Sequence, residues 1–107
     1  MKPEKINIAI IGFGNIGSYF YKILEKNKIN IFTKTGKVPF VKYISAKNLN
    51  KKRQIKIPKS KWIKNPLNIP LMDNVDIIFE LIGGAEGVAK KLVFSALKNK
   101  VHVITAN

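Results

Sequence analysis

The 107-residue chain contains no cysteine, so neither a disulfide framework nor a thiolate metal site is open to it. Its single histidine, His102, cannot build a zinc site without other ligands. Acidic residues are scarce: 6 Asp+Glu face 20 Lys+Arg, for a formal charge of +14. That balance invites a nucleic-acid partner. Arginine is scarcer still, however. Arg53 stands alone, so planar bidentate reading of bases has little to work with. The lysines are scattered among isoleucines and asparagines, a bias that an AT-rich coding sequence produces, and the charge is not read here as a nucleic-acid footprint. No apolar run is long enough to span a bilayer. Met1–Lys5 does not lead into a signal-peptide core, because the apolar run behind it meets glycine too soon. With 46% hydrophobic residues the chain can build a core, and its length suits one small domain over residues 1–107. A cytoplasmic protein with no metal site and no membrane or nucleic-acid partner is the expectation.

What is present is concentrated near the start. Residues 6–17 read Ile-Asn-Ile-Ala-Ile-Ile-Gly-Phe-Gly-Asn-Ile-Gly. An apolar run drives straight into Gly12-x-Gly14-x-x-Gly17, and a helical pattern follows. A bare GxGxxG is weak evidence, but one that ends a strand and opens a helix is the phosphate-binding turn of a dinucleotide fold. Gly12 permits the tight turn, Gly14 lets the backbone approach a pyrophosphate, and Gly17 lets the helix pack on its strand. The helix N-terminus adds unpaired N–H groups and the positive end of its dipole.

Along the chain, Lys5–Ile11 reads as a buried strand. Asn15–Asn27 reads as a helix whose apolar face is Ile16, Phe20, Ile23 and Leu24, with Tyr19 and Tyr21 at its rim. Ile29–Lys34 forms a further helical turn that Gly36 stops. Val38–Ala46 is a second strand, with Pro39 tolerated near its beginning. Asn48–Asp73 carries three prolines and little periodicity; Gln54–Ile57 reads as a short edge strand, and Ser60 as the cap of a turn carrying Trp62 and Ile63. Val75–Ile82 is a buried strand ended by Gly83-Gly84. Glu86–Lys98 is a helix with an apolar stripe of Val88, Ala89, Leu92, Val93, Ala96 and Leu97. Val101–Thr105 is the last strand. Alternation of this kind argues an α/β fold, a Rossmann-type parallel sheet with right-handed crossovers. Gly12–Gly17, Ala46–Asn48, Gly83-Gly84 and Thr105–Asn107 then all fall at strand carboxyl ends, where such sheets bind ligands.

Val-Asp-Ile-Ile-Phe-Glu-Leu-Ile-Gly-Gly (75–84) and His-Val-Ile-Thr-Ala-Asn (102–107) resemble the cofactor domain of homoserine dehydrogenases. The stretch from Thr35-Gly36 to Lys47-Asn48-Leu49 is similar to that family's second strand and its exit. The resemblance covers nearly the whole chain and is weakest over 54–72. It implies hydride exchange between a nicotinamide cofactor and homoserine or aspartate semialdehyde. It places Phe13, Asn15 and Ile16 in the phosphate turn, and Gly83, Gly84 and Thr105–Asn107 beside the nicotinamide. Lys47 matches a position where the family often has an arginine that contacts the phosphate of an adenosine ribose. The family continues beyond Thr-Ala-Asn with a lysine, the rest of the cofactor domain and a substrate domain. The expectation is therefore a fragment with no catalytic residue of its own, inactive alone and with its sheet incomplete at the C-terminal side. The last strand is then an uncovered edge that promotes homo-oligomerisation.

Cofactor choice has a physical argument as well. An NAD site usually carries an acid at the end of the second strand, accepting from the ribose hydroxyls. Here that stretch is Ser45-Ala46-Lys47-Asn48, without an acid. Lys47 and Arg53, in the Lys51-Lys52-Arg53 cluster, favour NADP over NAD. Glu80, ending a buried strand, calls for a partner on a loop N–H or near the cofactor. His102 reads as a polar strand-end residue and Trp62 as satellite core. The rival readings are a stand-alone nucleotide-binding or regulatory module and, less favoured, a basic nucleic-acid-binding protein.

Overall fold

An isoleucine-rich strand can be apolar on both faces only if both are covered, and the first strand is so placed. β1 (Glu4–Ile11) sends Ile8 and Ile10 into one cluster, with Phe13, Tyr21, Leu24, Val41 and Ile44. It sends Ala9 and Ile11 into another, with Ile69, Val75, Ile78, Leu92, Ala96 and Val101. The structure is a computed structural model and describes residues 4–47, 55–82 and 86–105.

The remaining elements are α1 (Asn15–Lys26), α2 (Lys28–Thr35), β2 (Lys37–Ser45), two 3₁₀ turns (Lys59–Lys61 and Pro66–Leu71), β3 (Ile77–Glu80), α3 (Glu86–Lys98) and β4 (His102–Thr105). The four strands form one sheet in the order β2-β1-β3-β4, and every pairing is parallel. A Rossmann-type α/β fold is thus the architecture. α2 ends on Gly36 in the left-handed conformation, whose N–H closes on the Phe32 carbonyl.

Four expectations are corrected. The buried face of α1 is Gly17, Tyr21 and Leu24, whereas Ile16 is 67% exposed and Ile23 37%. The cause is Gly17. The helix lies so close to the Gly12 carbonyl that only a residue without a side chain fits, and Tyr21 and Leu24 follow it down at helical spacing. Tyr21 is consequently core, edge-on to Phe13 with ring centroids 6.0 Å apart, and burial with the nearby Glu25 carboxylate pushes its phenol pKa above the ordinary value. Second, Ile55–Ile57 is not a strand; Ile55 and Ile57 pack against the α1-side cluster, and Gln54 lies outside the described residues. Third, the turn at Lys59–Lys61 follows Pro58 and has no side-chain cap from Ser60. Fourth, β3 is shorter than Val75–Ile82. Beyond Glu80 the Ile82 N–H turns to the carboxylate of Glu80 (2.7 Å) instead of continuing the ladder.

Pro66–Leu71 had no counterpart in the sequence reading. Its first N–H groups are answered by Asn65, whose side chain accepts from the Leu67 N–H at 3.0 Å. The turn buries Ile69 fully beside α3. α3 buries Ala89, Leu92 and Ala96 and leaves Val88 and Leu97 of the expected stripe exposed.

The two sheet edges differ. Along β2, Trp62 bridges Ile44, the Ile63 N–H donates to the Ile44 carbonyl at 2.8 Å, and the Lys61 ammonium donates to the Val41 carbonyl. Burial holds the Lys61 pKa below its ordinary value. Along β4 no further strand pairs among the described residues.

Candidate functional site

The carboxyl ends of the strands form one rim. Ser45 on β2, Ile11 on β1, Glu80 on β3 and Thr105 on β4 stand in a single register row across the sheet. The chain leaves β1 into the glycine turn directly above this row. Gly12 has φ +95 and donates its N–H to the Ser45 carbonyl at 2.8 Å. A Cβ on it would meet Leu81 and Ile82 backbone atoms at 2.9 Å, so both the conformation and the space demand glycine. Phe13 turns inward. Its ring is 3% exposed and edge-on to Trp62 (5.7 Å between centroids), which pins the turn from beneath. The Phe13 side chain faces the core, so only its backbone is offered to a ligand.

Gly14 is the N-cap of α1, and its carbonyl accepts the Ser18 N–H at 2.9 Å. A Cβ on Gly14 would meet nothing within 4 Å. Protein packing accounts for glycine at positions 12 and 17 but gives no reason for it at 14. The open side of Gly14 lies at a helix start whose first N–H groups have no intrahelical acceptor. Asn15 and Ile16 are exposed beside it. This cradle, with its backbone donors and helix dipole, fits a pyrophosphate.

The other candidates distribute around the rim. Lys47 is exposed two residues past Ser45, on the β2 side of the turn. Thr105 lies on the β4 side. Arg53, Gly83, Gly84 and Asn107 lie outside the described residues. Glu80 is 1% exposed, and one of its carboxylate oxygens accepts the Ile82 N–H, the amide that also crowds Gly12. Sequence reasoning passed over Ser45, which is 2% exposed at the end of an otherwise apolar strand; a serine closing such a run was the available signal. His102 sits at the amino end of β4, level with Ile77 and away from the rim. Among the described residues, no three His, Asp or Glu side chains gather to hold a metal, and no helix is long and apolar enough to cross a membrane.

Comparison with known proteins agrees with this geometry. Residues 12–107 match the family model of the NAD-binding domain of homoserine dehydrogenase. The homoserine dehydrogenase of Methylobacillus glycogenes is 35% identical over 107 residues, covering 100% of this chain and 25% of that protein. That of Bacillus subtilis is 32% identical over 104 residues, covering 97% of this chain and 24% of that protein. A crystal structure of the Staphylococcus aureus homoserine dehydrogenase superposes with a TM-score of 0.88 at 38% identity, covering 99% of this chain and 27% of that one. The chain thus spans about a quarter of the length of the relatives it matches. A nicotinamide dinucleotide is the cofactor of such a domain, and with strand order, glycine turn and family model in agreement, the chain belongs to the homoserine dehydrogenase family as its NAD-binding domain.

Proposed function

We propose that residues 1–107 form one cofactor-binding domain that holds NADP in preference to NAD, serving hydride exchange between homoserine and aspartate semialdehyde in the cytoplasm. The open side of Gly14 carries this reading, because no protein atom fills the space beside it at the start of α1, which leaves room for a pyrophosphate. The pyrophosphate lies on Gly12–Gly17 and the N–H groups of Asn15 and Ile16. The adenosine end runs toward Lys47 and Arg53, and the nicotinamide end toward Gly83, Gly84, Thr105 and Asn107. The cofactor supplies the hydride acceptor or donor. Substrate handling belongs to the length the relatives have beyond the matched quarter. Calorimetric titration of the chain with NADP and NAD tests the reading, and no binding of either would refute it.

Lys47 decides cofactor choice on this account. An exposed ammonium against a 2′-phosphate contributes roughly 1 kcal/mol. Lys47→Ala is therefore expected to weaken NADP binding several-fold and to leave NAD nearly unchanged. The same titrations check it, and a loss shared equally by both cofactors would remove the role.

Association follows from the uncovered edge. Among the described residues β4 pairs with no strand beyond β3, and it borders an apolar surface in which Ile104 and Leu97 are exposed, with a cleft running along it past Val101 and Val103. A charge of +14 opposes contact between copies, and salt screens that repulsion. Sedimentation is expected to show larger species at high salt than at low salt. A compact monomer under both conditions would contradict edge pairing.

A further inference from the structure

Two polar side chains are buried among the described residues, Ser45 and Glu80, at 2% and 1% exposure. Both stand in the register row under the glycine turn, on either side of Ile11. Buried polarity is thus confined to the rim where the cofactor is placed. The two are not equivalent. Ser45 carries no charge. Glu80 is a carboxyl group whose hydrogen-bond partner among the described residues is a single backbone N–H, that of Ile82 at 2.7 Å. No lysine or arginine pairs with it among the described residues; the ion pair found there is Lys28–Glu25, on the surface. One N–H bond leaves most of a buried negative charge uncompensated.

We propose that Glu80 makes the site discriminate between the redox states of its cofactor, its buried carboxylate favouring the oxidised, cationic nicotinamide ring over the reduced, neutral one. The inference rests on the dinucleotide reading above. The direction follows from topology. In this kind of sheet a dinucleotide crosses the rim with its pyrophosphate at the first turn. With the adenosine on the β2 side near Lys47, the nicotinamide falls on the β3–β4 side, where Glu80 ends its strand. The phosphates stay with the N-terminus of α1. The ring bears a unit positive charge in the oxidised cofactor and none in the reduced one. All other contacts are common to both forms, so the carboxylate acts on the difference between them.

The test is a pair of titrations, with oxidised and with reduced NADP, on wild type, Glu80→Gln and Glu80→Asp. Glutamine keeps an oxygen acceptor for the Ile82 N–H and removes the charge; aspartate keeps the charge. The readout is the ratio of the two dissociation constants within each protein, from which any unfolded fraction cancels. Glu80→Gln is expected to weaken the oxidised cofactor relative to the reduced one by roughly fivefold or more, the scale of a unit-charge interaction at a partly screened site. Glu80→Asp is expected to retain the wild-type bias toward the oxidised form. Equal changes in both constants, or none, would overturn the role of Glu80 while leaving dinucleotide binding intact. Failure of wild type to bind either form would overturn both.

Discussion

Gly17→Ala is expected to destabilise the domain by about 3 kcal/mol and to lower its melting temperature by more than ten degrees. One methyl group has this effect because of what it meets. The Cβ would fall well inside contact distance of the Gly12 carbonyl oxygen, a backbone atom held by the turn itself. A flexible side chain could swing aside; this oxygen cannot without moving Gly12, whose N–H is tied to the Ser45 carbonyl and beside which the Leu81–Ile82 backbone leaves no room even for a Cβ. The strain therefore passes to the central strand and the helix above it. Domains of this size hold roughly 5–15 kcal/mol in all, so the loss is a large share. Gly87→Ala is the control. It lies in α3 with nothing within 4 Å of the added carbon, and there alanine should stabilise by about 0.5 kcal/mol through backbone entropy. Thermal melts of the two variants should move in opposite directions. Equal shifts would mean that the helix does not rest on the turn through Gly17.

Gly14→Val should do the reverse: leave the fold and remove the cofactor. The valine Cβ projects into space that no protein atom occupies within 4 Å, and φ at this position is negative. The melting temperature should stay within a few degrees of wild type. The same side chain fills the cradle where the pyrophosphate would lie, and binding of NADP and NAD should both fall at least tenfold, about 1.4 kcal/mol or more. Circular dichroism with calorimetric titration separates the two effects. A folded variant that binds as wild type does would refute the assignment of the turn. Together the two substitutions dissect a motif usually treated as one object: Gly17 serves the packing of the protein, and Gly14, on the proposed reading, serves the ligand.

Much of this arrangement was legible in the residues because its signals were local. The isoleucine run of β1, the Gly36 stop and the bounds of α3 each depend on a few neighbouring positions. The face of α1 was not. Its apolar residues Ile16, Phe20 and Ile23 mark a stripe, but the orientation is decided by Gly17, which carries no hydrophobic signal and acts through a backbone contact with residue 12. Phe20 nonetheless reaches the sheet, its ring 4.5 Å from that of Phe79. Pro66–Leu71 escaped notice for a related reason. A 3₁₀ turn is too short for periodicity to register, and its cap, Asn65, looks in sequence like any polar loop residue. In the site, the rim positions of Lys47 and Thr105 followed from strand ends. Burial of Ser45 and the link from Glu80 to the Gly12 contact depend on register across three strands, and no linear pattern encodes that.

The β2 edge of the sheet is closed to a further strand. On the β2 side, the Lys61 ammonium caps the Val41 carbonyl and lies 4.3 Å from the centre of the Phe40 ring, with the Lys5 ammonium 4.5 Å from the same ring. A second strand arriving there would have to displace the Trp62–Ile63 segment and face two ammonium groups. The sheet is thus protected against strand addition on its β2 side. Whatever lies beside β4, this side of the sheet offers another chain no template for strand addition.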